Sequence, residues 1–579
     1  MHEKILVAVA WPYANSDLHL GQLAGAYIPP DILARYHRFR GNDVLMVSGS
    51  DTHGTPITVA AGQLGISPNE VMERYHKSFI ESFVGLGISF DLFTHTDTEN
   101  HWAVTTDLFT RLLEKGYIFR ETTKALFCPH DRRFLPDRYV EGGCPFCEFE
   151  DARGDQCDNC GKPLDALELV NPRCKLCGKR PEVRETEHFF LDLPQFSEPL
   201  KAYLADKGYW RPNVRNFALG MLDEGLRPRA ITRDIDWGIP VPVEGYSSKR
   251  IYVWFDAVIG YLSATIEWAQ NRGTPEAWHD WWDIDKPSRA YHFIGKDNIF
   301  FHTLIWPAML IGYGGRKLPY DVPANEWLTL EGRKLSSSRN WAVWAPDYLS
   351  RYDPDPLRYC LTVRAPESSD SDFSWQEFLD RNNNELVGTW GNLVHRMVTF
   401  AYRNFCGQVP SPGHLTEPDR AIIDVAERAF MTVGAEIEAC RFRSAIGKVM
   451  AVAREANRYL DAAAPWKSLK TERDRAATVT YVALRVIDSL KMLFAPFLPS
   501  SSQALHQALG YESDLLGTQR TVTVQENTRK HFALVYSYDW EGDIWAPSQL
   551  PPGQALRRPE PLFRKLEPEI VEQELARLG

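Results

Sequence analysis

Residues suited to gripping a polyphosphate lie near the start of the chain, between Ala10 and Gln22. The apolar run from Ile5 to Val9 predicts a buried strand, and Leu18 to Arg40 predicts a helix after a polar, proline-containing loop. Unpaired N–H groups at a helix start form an anion site, to which His19 adds a donor, and Gly21 lets a nucleotide lie against the backbone. An ordinary strand–loop–helix turn with a surface histidine is the alternative.

A second stretch, from Glu331 to Arg339, is a basic loop that carries hydroxyl groups. Lys334 and the serines that follow it, among them Ser337, could hold a polyphosphate through charge-assisted hydrogen bonds. Basic loops are usually solvated surface, so this stretch points to a nucleotide only in combination with the first.

Polar residues also follow two other predicted strands. Asp51 and His53 come after the apolar run Val44–Val47, and Gly295 and Asp297 end the run that begins at Tyr291. In a parallel α/β sheet, ligands bind beyond the carboxyl ends of the strands. The carboxylate of Asp51 could meet the ammonium group of an amino acid, with a helix cap as the alternative. Asp297 suits the ribose hydroxyls of an adenosine.

Aromatic residues in the second half of the α/β pattern could line an apolar pocket. The run from Ile251 to Ala257 predicts a strand that returns to the sheet, and Ile299 to Ile311 predicts a helix. A thioether is polarisable and packs well against aromatic rings, so a flexible apolar side chain would fit there. Plain core packing is the alternative. The candidate residues are Trp254, Ala257, Tyr261, His302 and Trp306.

Seven of the ten cysteines lie between Cys128 and Cys177. In a chain that looks cytosolic, pairs with Cys-x-x-Cys spacing favour zinc over disulfides. Two such turns supply four thiolates, which leaves no open position on the metal and makes the site structural. This predicts one zinc site, with free thiols as the alternative. Its ligands are Cys144, Cys147, Cys157 and Cys160.

A second zinc site is less clear from the sequence. Cys174 and Cys177 form another half-site, and Cys128 with Asp131 stands at the same spacing. His130 is a further possible ligand, and zinc accepts either a carboxylate or an imidazole. A knuckle that has lost its metal would look much the same.

The chain divides into an α/β part, an insertion and a helical part. Strands and helices alternate at both ends of the insertion, whereas apolar residues after about residue 386 recur at helical spacing and indicate an α-bundle. The predicted segments are residues 1–117 and 236–330 for the two halves of the α/β domain, 118–235 for the knuckle insertion, 331–385 for a joining element, 386–545 for the bundle and 546–579 for a tail that packs back on the body.

The length, net charge and composition of the chain limit the kinds of protein that it can be. The chain has 579 residues and a net charge of −11, so any RNA must be bound by local basic and aromatic patches. The sequence shows neither a signal peptide nor an apolar run long enough to span a bilayer, which predicts a cytoplasmic protein without membrane contact. In the bundle, Asn392, Arg396 and Trp466 combine a polar pair with an aromatic platform that could read splayed RNA bases. Taken alone, Trp466 is more typical of a helix-end core residue.

Several sequence words, in order along nearly the whole chain, resemble those of the methionyl-tRNA synthetase family of class I aminoacyl-tRNA synthetases. They begin with the first polyphosphate stretch, and the second stretch resembles the other ATP-binding motif of class I. The words are Trp11–Asn15, Gly54–Ile57, Phe134–Arg138, Glu187–Phe190, Tyr252–Trp254, Tyr291–Asp297 and Ala464–Trp466.

The resemblance implies a Rossmann-type class I catalytic domain with a zinc-knuckle insertion, followed by an all-α anticodon-binding bundle. It implies that methionine attacks the α-phosphate of ATP, which comes with Mg²⁺, and that the activated carboxyl passes to the terminal adenosine of tRNA(Met), initiator and elongator alike. The chain is expected to act as a monomer. The short insertion contrasts with the large editing domain of relatives that activate leucine, isoleucine or valine.

The resemblance also assigns residues by matching position. His19 and Lys334 would stabilise the phosphates, Gly21 would make room for the adenine, and Arg233 would hold pyrophosphate. Gly295 and Asp297 would hold the ribose, and Asp51 the methionine ammonium. The anticodon CAU would be read by Asn392, Arg396 and Trp466. The pocket for the methionine side chain would be formed by Trp11, Tyr13, Trp254, Ala257, Tyr261, His302 and Trp306.

Two positions depart from the family pattern. Gln22 stands where the first motif usually ends in histidine, and Ser337 stands where the second usually has lysine. Glutamine donates a hydrogen bond but carries no charge, and Arg333 and Arg339 would offset the missing cation in part. The departures leave two other interpretations open: a catalytically silent paralogue that only binds tRNA or nucleotide, and a ligase of the same fold for another amino acid.

Overall fold

The computed structural model describes residues 2–136, 139–154, 157, 159–160, 164–336 and 339–579. Its largest sheet has seven strands among these residues. The first five strands across the sheet pair in parallel, and the last two form an antiparallel hairpin. From one edge to the other they are Ala324–Asn325, Ser288–Gly295, Lys4–Val9, Asp43–Ser50, Leu92–His95, Lys530–Ser537 and Thr518–Gln525.

The central sheet is buried on both faces, because successive side chains of a strand point to opposite sides. Ile5, Val7 and Val9 belong to one apolar cluster and Leu6 and Ala8 to the other. The prediction of an α/β fold is therefore confirmed.

Helices cover the two faces of the sheet. The predicted helix after the first strand is interrupted by a π-helical turn, Leu23–Tyr27. The α-helices of this part are Leu20–Gln22, Ile28–Phe39, Thr55–Leu64, Pro68–Leu86, Glu99–Glu114, Val253–Asn271, His279–Trp282 and Trp306–Tyr313, with Lys296–Asn298 as a 3₁₀ turn and Phe301–Ile305 as a second π turn.

The predicted strand from Ile251 to Ala257 is wrong. The strand here is only Arg250–Ile251, and it pairs with Thr232–Arg233 outside the central sheet. Val253 begins the buried helix that runs to Asn271. A short apolar run does not distinguish a buried strand from a buried helix, and here the run continues to helical length.

In the part of the insertion that the structure describes, the strands form two small sheets with their own apolar cluster. One sheet contains Ile118–Cys128, Arg133–Phe134, Glu182–Leu191 and Arg229–Ala230. The other contains Val140–Gly143, Ala152–Arg153 and Val170–Cys174. The helices are Ser197–Ala205 and Pro212–Asp223, with 3₁₀ turns at Ala166–Glu168 and Leu193–Phe196.

The joining element and the bundle follow. A sheet of Leu328–Leu330, Arg333–Lys334 and Ser371–Phe373 carries the second polyphosphate stretch. The joining helices are Ala345–Leu349, Pro354–Val363, Trp375–Asp380 and the π-helical Arg381–Gly391. The bundle helices are Asn392–Asn404, Glu417–Glu438, Phe442–Ala463, Pro465–Ser468, Arg473–Phe494 and Pro499–Ala508.

After the bundle, the chain returns to the central sheet, which the sequence analysis did not anticipate. The hairpin of Thr518–Gln525 and Lys530–Ser537 places Leu534 opposite Phe93. The tail ends in the short helix Ile570–Leu575, where Glu574 accepts hydrogen bonds from Arg351. Among the described residues, no helix is both long and apolar enough to span a membrane.

Candidate active site

His19 caps the helix that follows the first strand. Its Nδ1 accepts the N–H of Gly21 at 3.1 Å, and the Oε1 of Gln22 accepts the N–H of His19 at 3.0 Å, which completes a capping box. Burial lowers the pKa of His19 to about 4, so the ring is neutral at pH 7. Since Nδ1 accepts, the proton lies on Nε2 and is available to an anion. The structure thus gives Gln22 a capping role.

The two polyphosphate stretches meet in the fold. His19 forms a bridge with Trp344, and the N–H of Leu20 donates to the carbonyl of Val343 at 3.2 Å. A Cβ added to Gly21 would lie 2.7 Å from the Cδ1 of Leu335. The loop of Lys334 therefore approaches the helix start closely at Gly21. Ser337 lies outside the described residues, as do Asp137 and Arg138 of the family words.

Lys334 and Asp297 both contact the same tryptophan, Trp327. The Lys334 Nζ is 4.0 Å from the ring centroid of Trp327, and the Trp327 Nε1 donates to an oxygen of Asp297 at 3.1 Å. Gly295 ends the strand just before Asp297, and a Cβ there would meet open space. Sequence analysis missed Trp327, since a single tryptophan between two strands carries no pattern.

Arg233 lies beside the predicted amino-acid pocket. Its guanidinium is 3.9 Å from the ring of Tyr252 and donates to the carbonyl of Thr232 at 2.8 Å. A cavity of about 430 Å³ is lined by both side chains and by Phe301. Phe301 in turn stacks on Trp254 at 4.6 Å between ring centroids.

Asp51 is tied to the first stretch through the backbone. Its N–H donates to the carbonyl of Pro12 at 2.7 Å, it bridges with Tyr13, and the Tyr13 ring meets Trp254 edge-on at 6.1 Å. Burial, with the charge of Asp256 added, raises the pKa of Asp51 well above its ordinary value. A bound ammonium group would oppose that shift.

Helix Val253–Asn271 supplies one side of the pocket. Trp254, Ala257 and Tyr261 recur at helical spacing, so they lie on one face. The Tyr261 hydroxyl donates to the Nε2 of His302 at 2.7 Å, because the Nδ1–H of His302 donates to a backbone carbonyl. Burial lowers the pKa of His302 to about 4, which keeps it neutral.

Trp11 and Trp306 stand further back. A Cβ on Gly260 would lie 2.6 Å from the Trp11 ring, and one on Gly49 would also overlap it, so the indole is held between two glycine backbones. Trp306 is fully buried and its Nε1 donates to His292 at 3.2 Å. Trp306 therefore packs behind Tyr261 as part of the core.

A buried carboxylate that sequence analysis missed lies next to this pocket. Asp256 is bound to the Nδ1 of His53 at 2.6 Å and to the Nε2 of His101 at 2.5 Å. Burial opposes its ionisation, but the two histidines hold its pKa at about 2. The only signal was its place between Trp254 and Ala257, and nothing marked His101.

Both predicted cysteine groups are assembled as possible metal sites. In the first, sulfur atoms lie 3.8 Å apart between Cys144 and Cys160 and 3.6 Å apart between Cys147 and Cys157. A zinc tetrahedron with Zn–S bonds of about 2.3 Å has edges of about 3.8 Å, so these spacings fit the metal.

In the second group, an oxygen of Asp131 is 3.1 Å from the sulfurs of Cys128 and Cys174. The Cys128 and Cys177 sulfurs are 3.5 Å apart. The neighbouring thiols lower the pKa of Asp131, which keeps it an anion ready to ligate.

The three anticodon candidates lie together on the bundle. The Arg396 guanidinium is 4.9 Å from the ring of Trp466, and Asn392 is exposed one turn earlier on the same helix. Trp466 is 39% exposed, so it is not a core residue.

Known protein families and relatives match this chain along nearly its whole length. The family model described as tRNA synthetases class I (M) matches residues 5–398, and the anticodon binding domain of methionyl tRNA ligase matches residues 409–531. The methionine–tRNA ligase of Thermomicrobium roseum is 56% identical over 581 residues, covering 100% of this chain and 99% of the relative. That of Dehalococcoides mccartyi is 54% identical over 579 residues, covering 100% of both.

A solved structure shares the fold. The Mycobacterium tuberculosis methionyl-tRNA synthetase bound by methionyl-adenylate matches with a TM-score of 0.76 at 24% identity, covering 97% of this chain and 100% of that one. With family models along most of its length and relatives more than half identical over all of it, the chain belongs to the methionyl-tRNA synthetases, the ATP-dependent methionine–tRNA ligases of class I.

Proposed function

We propose that this chain couples methionine to tRNA(Met) in two steps at the site described above. In the first, a carboxylate oxygen of methionine attacks the α-phosphorus of ATP, and the bond to the β-phosphate oxygen breaks to release pyrophosphate. In the second, a ribose hydroxyl of the terminal adenosine attacks the activated carbonyl and AMP leaves. The observation that carries the proposal is the meeting of the two polyphosphate stretches beside Asp51 and Trp254.

The phosphates would be held by groups of two kinds. Neutral His19 offers its Nε2–H to the developing charge without having to lose a proton. Lys334 and Arg233 supply positive charge from two sides, and Mg²⁺ bound to ATP supplies more. Ser337 belongs to this set by its place in the second motif.

The adenosine would lie across the carboxyl ends of the strands. Gly21 leaves the helix start open to the adenine, Gly295 lets the ribose approach the backbone, and Asp297 accepts hydrogen bonds from the ribose hydroxyls. In the present structure Asp297 is held by Trp327, which also contacts Lys334.

Methionine would lie between Asp51 and the aromatic face of helix Val253–Asn271. Asp51 binds the ammonium group, and the hydroxyl of Tyr261 with neutral His302 leaves a polar but uncharged end for the thioether. Trp11 and Trp306 support the walls from behind. Tyr13, Trp254 and Ala257 complete the slot.

Both cysteine groups would hold structural zinc, one with four thiolates and one with three thiolates and Asp131. The spacing of the donors supports this, and zinc would tie the turns of an insertion whose apolar core is small. Neither site lies within the proposed chemistry.

The bundle would read the CAU anticodon through Asn392, Arg396 and Trp466, in initiator and elongator tRNA alike. The exposed ring of Trp466 with a guanidinium beside it supports a stacking platform. We also propose that the protein is a monomer, which light scattering would test, and that it acts in the cytoplasm, where it would serve translation.

Exchange of labelled pyrophosphate into ATP tests this function. We expect exchange that depends on methionine and on none of the other standard amino acids, and its loss in Asp51→Asn. A silent paralogue gives no exchange, and a ligase for another substrate gives exchange with a different amino acid. Double substitution of Arg333 and Arg339 by alanine should slow the exchange if they offset the missing cation of the second motif.

A further inference from the structure

Asp51 belongs to a larger buried cluster of charged side chains. Behind it, Asp256 binds His53 and His101 with its two oxygens at 2.6 and 2.5 Å. The second nitrogen of His53 faces Asp97 at 3.9 Å. Both His53 and Asp256 are at most 1% exposed, so solvent screens these charges weakly.

His53 is also the direct neighbour of Asp51. Its backbone N–H donates to the Oδ1 of Asp51 at 3.3 Å, and Asp51 itself is 3% exposed. Asp256, in contrast, bears a like charge that disfavours an ionised Asp51. His53 therefore lies among three carboxylates: Asp51, Asp97 and Asp256.

We propose that His53 is a positioning residue for methionine: its positive charge favours the ionised form of Asp51, which takes the ammonium group. The inference rests on the proposed role of Asp51 and deepens it, because it assigns the control of that carboxylate to residues that do not touch the substrate.

The electrostatics of the cluster agree with this geometry. Burial opposes a charged His53, but the carboxylates of Asp256 and Asp97 outweigh it and raise the pKa of His53 to about 10. His53 then opposes the rise in the pKa of Asp51 that burial and Asp256 cause. The other titratable groups facing the cluster are Tyr261 on the pocket helix, His95 at the end of the strand Leu92–His95, and Arg529, which binds Asp97 from the hairpin at 3.2 Å.

A pH dependence follows from the sign of these effects. Because methionine binds the ionised carboxylate, its affinity falls as the pH drops through the pKa of Asp51 in the free protein. Binding at a pH below that value releases a proton from Asp51. Without the positive charge of His53, the pKa of Asp51 rises, so the affinity is lost at a higher pH and more proton is released.

The test is calorimetry of methionine binding to the full chain, run from about pH 6 to about pH 9 in pairs of buffers with different ionisation heats. For His53→Gln we expect the acid limit of binding to move up by about one unit or more, and proton release at neutral pH to increase. The variant should approach the affinity of the unsubstituted chain at the alkaline end.

Two variants serve as controls. His101→Gln removes the other imidazole that binds Asp256. His101 is not among the groups that change the pKa of Asp51, so the acid limit of methionine binding should stay in place. Asp256→Asn removes the charge that repels Asp51, so the limit should stay or move down. An equal loss at every pH in His53→Gln, or the same upward shift in His101→Gln, would overturn the inference.

Two further measurements keep the outcomes separate. Asp51→Asn should lose methionine binding at every pH; if it does not, the proposed role of Asp51 fails, whatever His53 does. If it does and His53→Gln shows no pH shift, only the inference fails. In the unsubstituted chain, the ¹⁵N resonances of His53 should show a protonated ring at about pH 8, and a neutral ring there contradicts the inference even if His53→Gln does not fold.

Discussion

Substituting Gly21 by alanine tests how closely the two polyphosphate stretches meet. The added methyl would lie 2.7 Å from the Cδ1 of Leu335 and 3.2 Å from the Nδ1 of His19. The Cδ1 atom is the far end of the flexible Leu335 side chain, so this side chain would move aside while the protein stays folded. Alanine also favours the helix over glycine by up to about 1 kcal/mol.

The expected cost falls on catalysis. Overpacking of this kind costs about 1–3 kcal/mol. If the crowding arises mainly when ATP is bound, this cost lowers kcat/KM for ATP by about 5- to 150-fold. Pyrophosphate exchange measures this loss, and urea unfolding checks that the free energy of unfolding is unchanged or higher.

A second substitution separates crowding against Leu335 from a block to the nucleotide. Leu335→Ala removes the atom that the new methyl meets, so in the double variant most of the lost activity should return. Full activity in Gly21→Ala would refute the prediction that the two stretches become crowded when ATP is bound. No recovery in the double variant would show instead that the methyl acts on the nucleotide directly.

Other regions of the molecule give further predictions. Burial opposes the charge of Asp31, but two buried arginines lower its pKa to about 2; Asp31→Asn should cost about 3–5 kcal/mol of unfolding free energy, and the contribution of Asp31 should be lost as the pH falls from about 4 to about 2. Metal analysis should find about two zinc ions per chain, and Cys144→Ser and Cys174→Ser should each remove one and lower the melting temperature. Trp466→Ala should slow tRNA charging by about 5- to 150-fold without changing pyrophosphate exchange, whereas Tyr402→Ala, equally exposed on the bundle, should change neither.

Structural features could be predicted from the sequence where a local pattern has a single physical interpretation. The run Ile5–Val9 is apolar throughout because both faces of its strand are covered, and the structure has a strand at Lys4–Val9. Cysteine pairs spaced as Cys-x-x-Cys place two sulfurs on one turn, so the first metal group could be predicted. The pairing of Cys128 with Cys174 depended on strands far apart in the chain, so the sequence left it open.

Features that depend on tertiary context could not be predicted. The segment after Ile251 is helical because its apolar residues face the core along a full helix, which no short window shows. The hairpin that ends at Ser537 is positioned by its pairing with the strand Leu92–His95, which lies far away in the sequence. Asp256 and His101 are separated by more than 150 residues, and only the packing of two helices brings them together.

The central claim is that two distant stretches hold one ATP beside a slot for methionine. A crystal structure with a non-hydrolysable methionyl-adenylate mimic tests it most directly. We expect the ammonium group at Asp51, the ribose at Asp297 and the phosphate mimic between His19 and Lys334. An adenosine bound elsewhere, or an ammonium group away from Asp51, would contradict it.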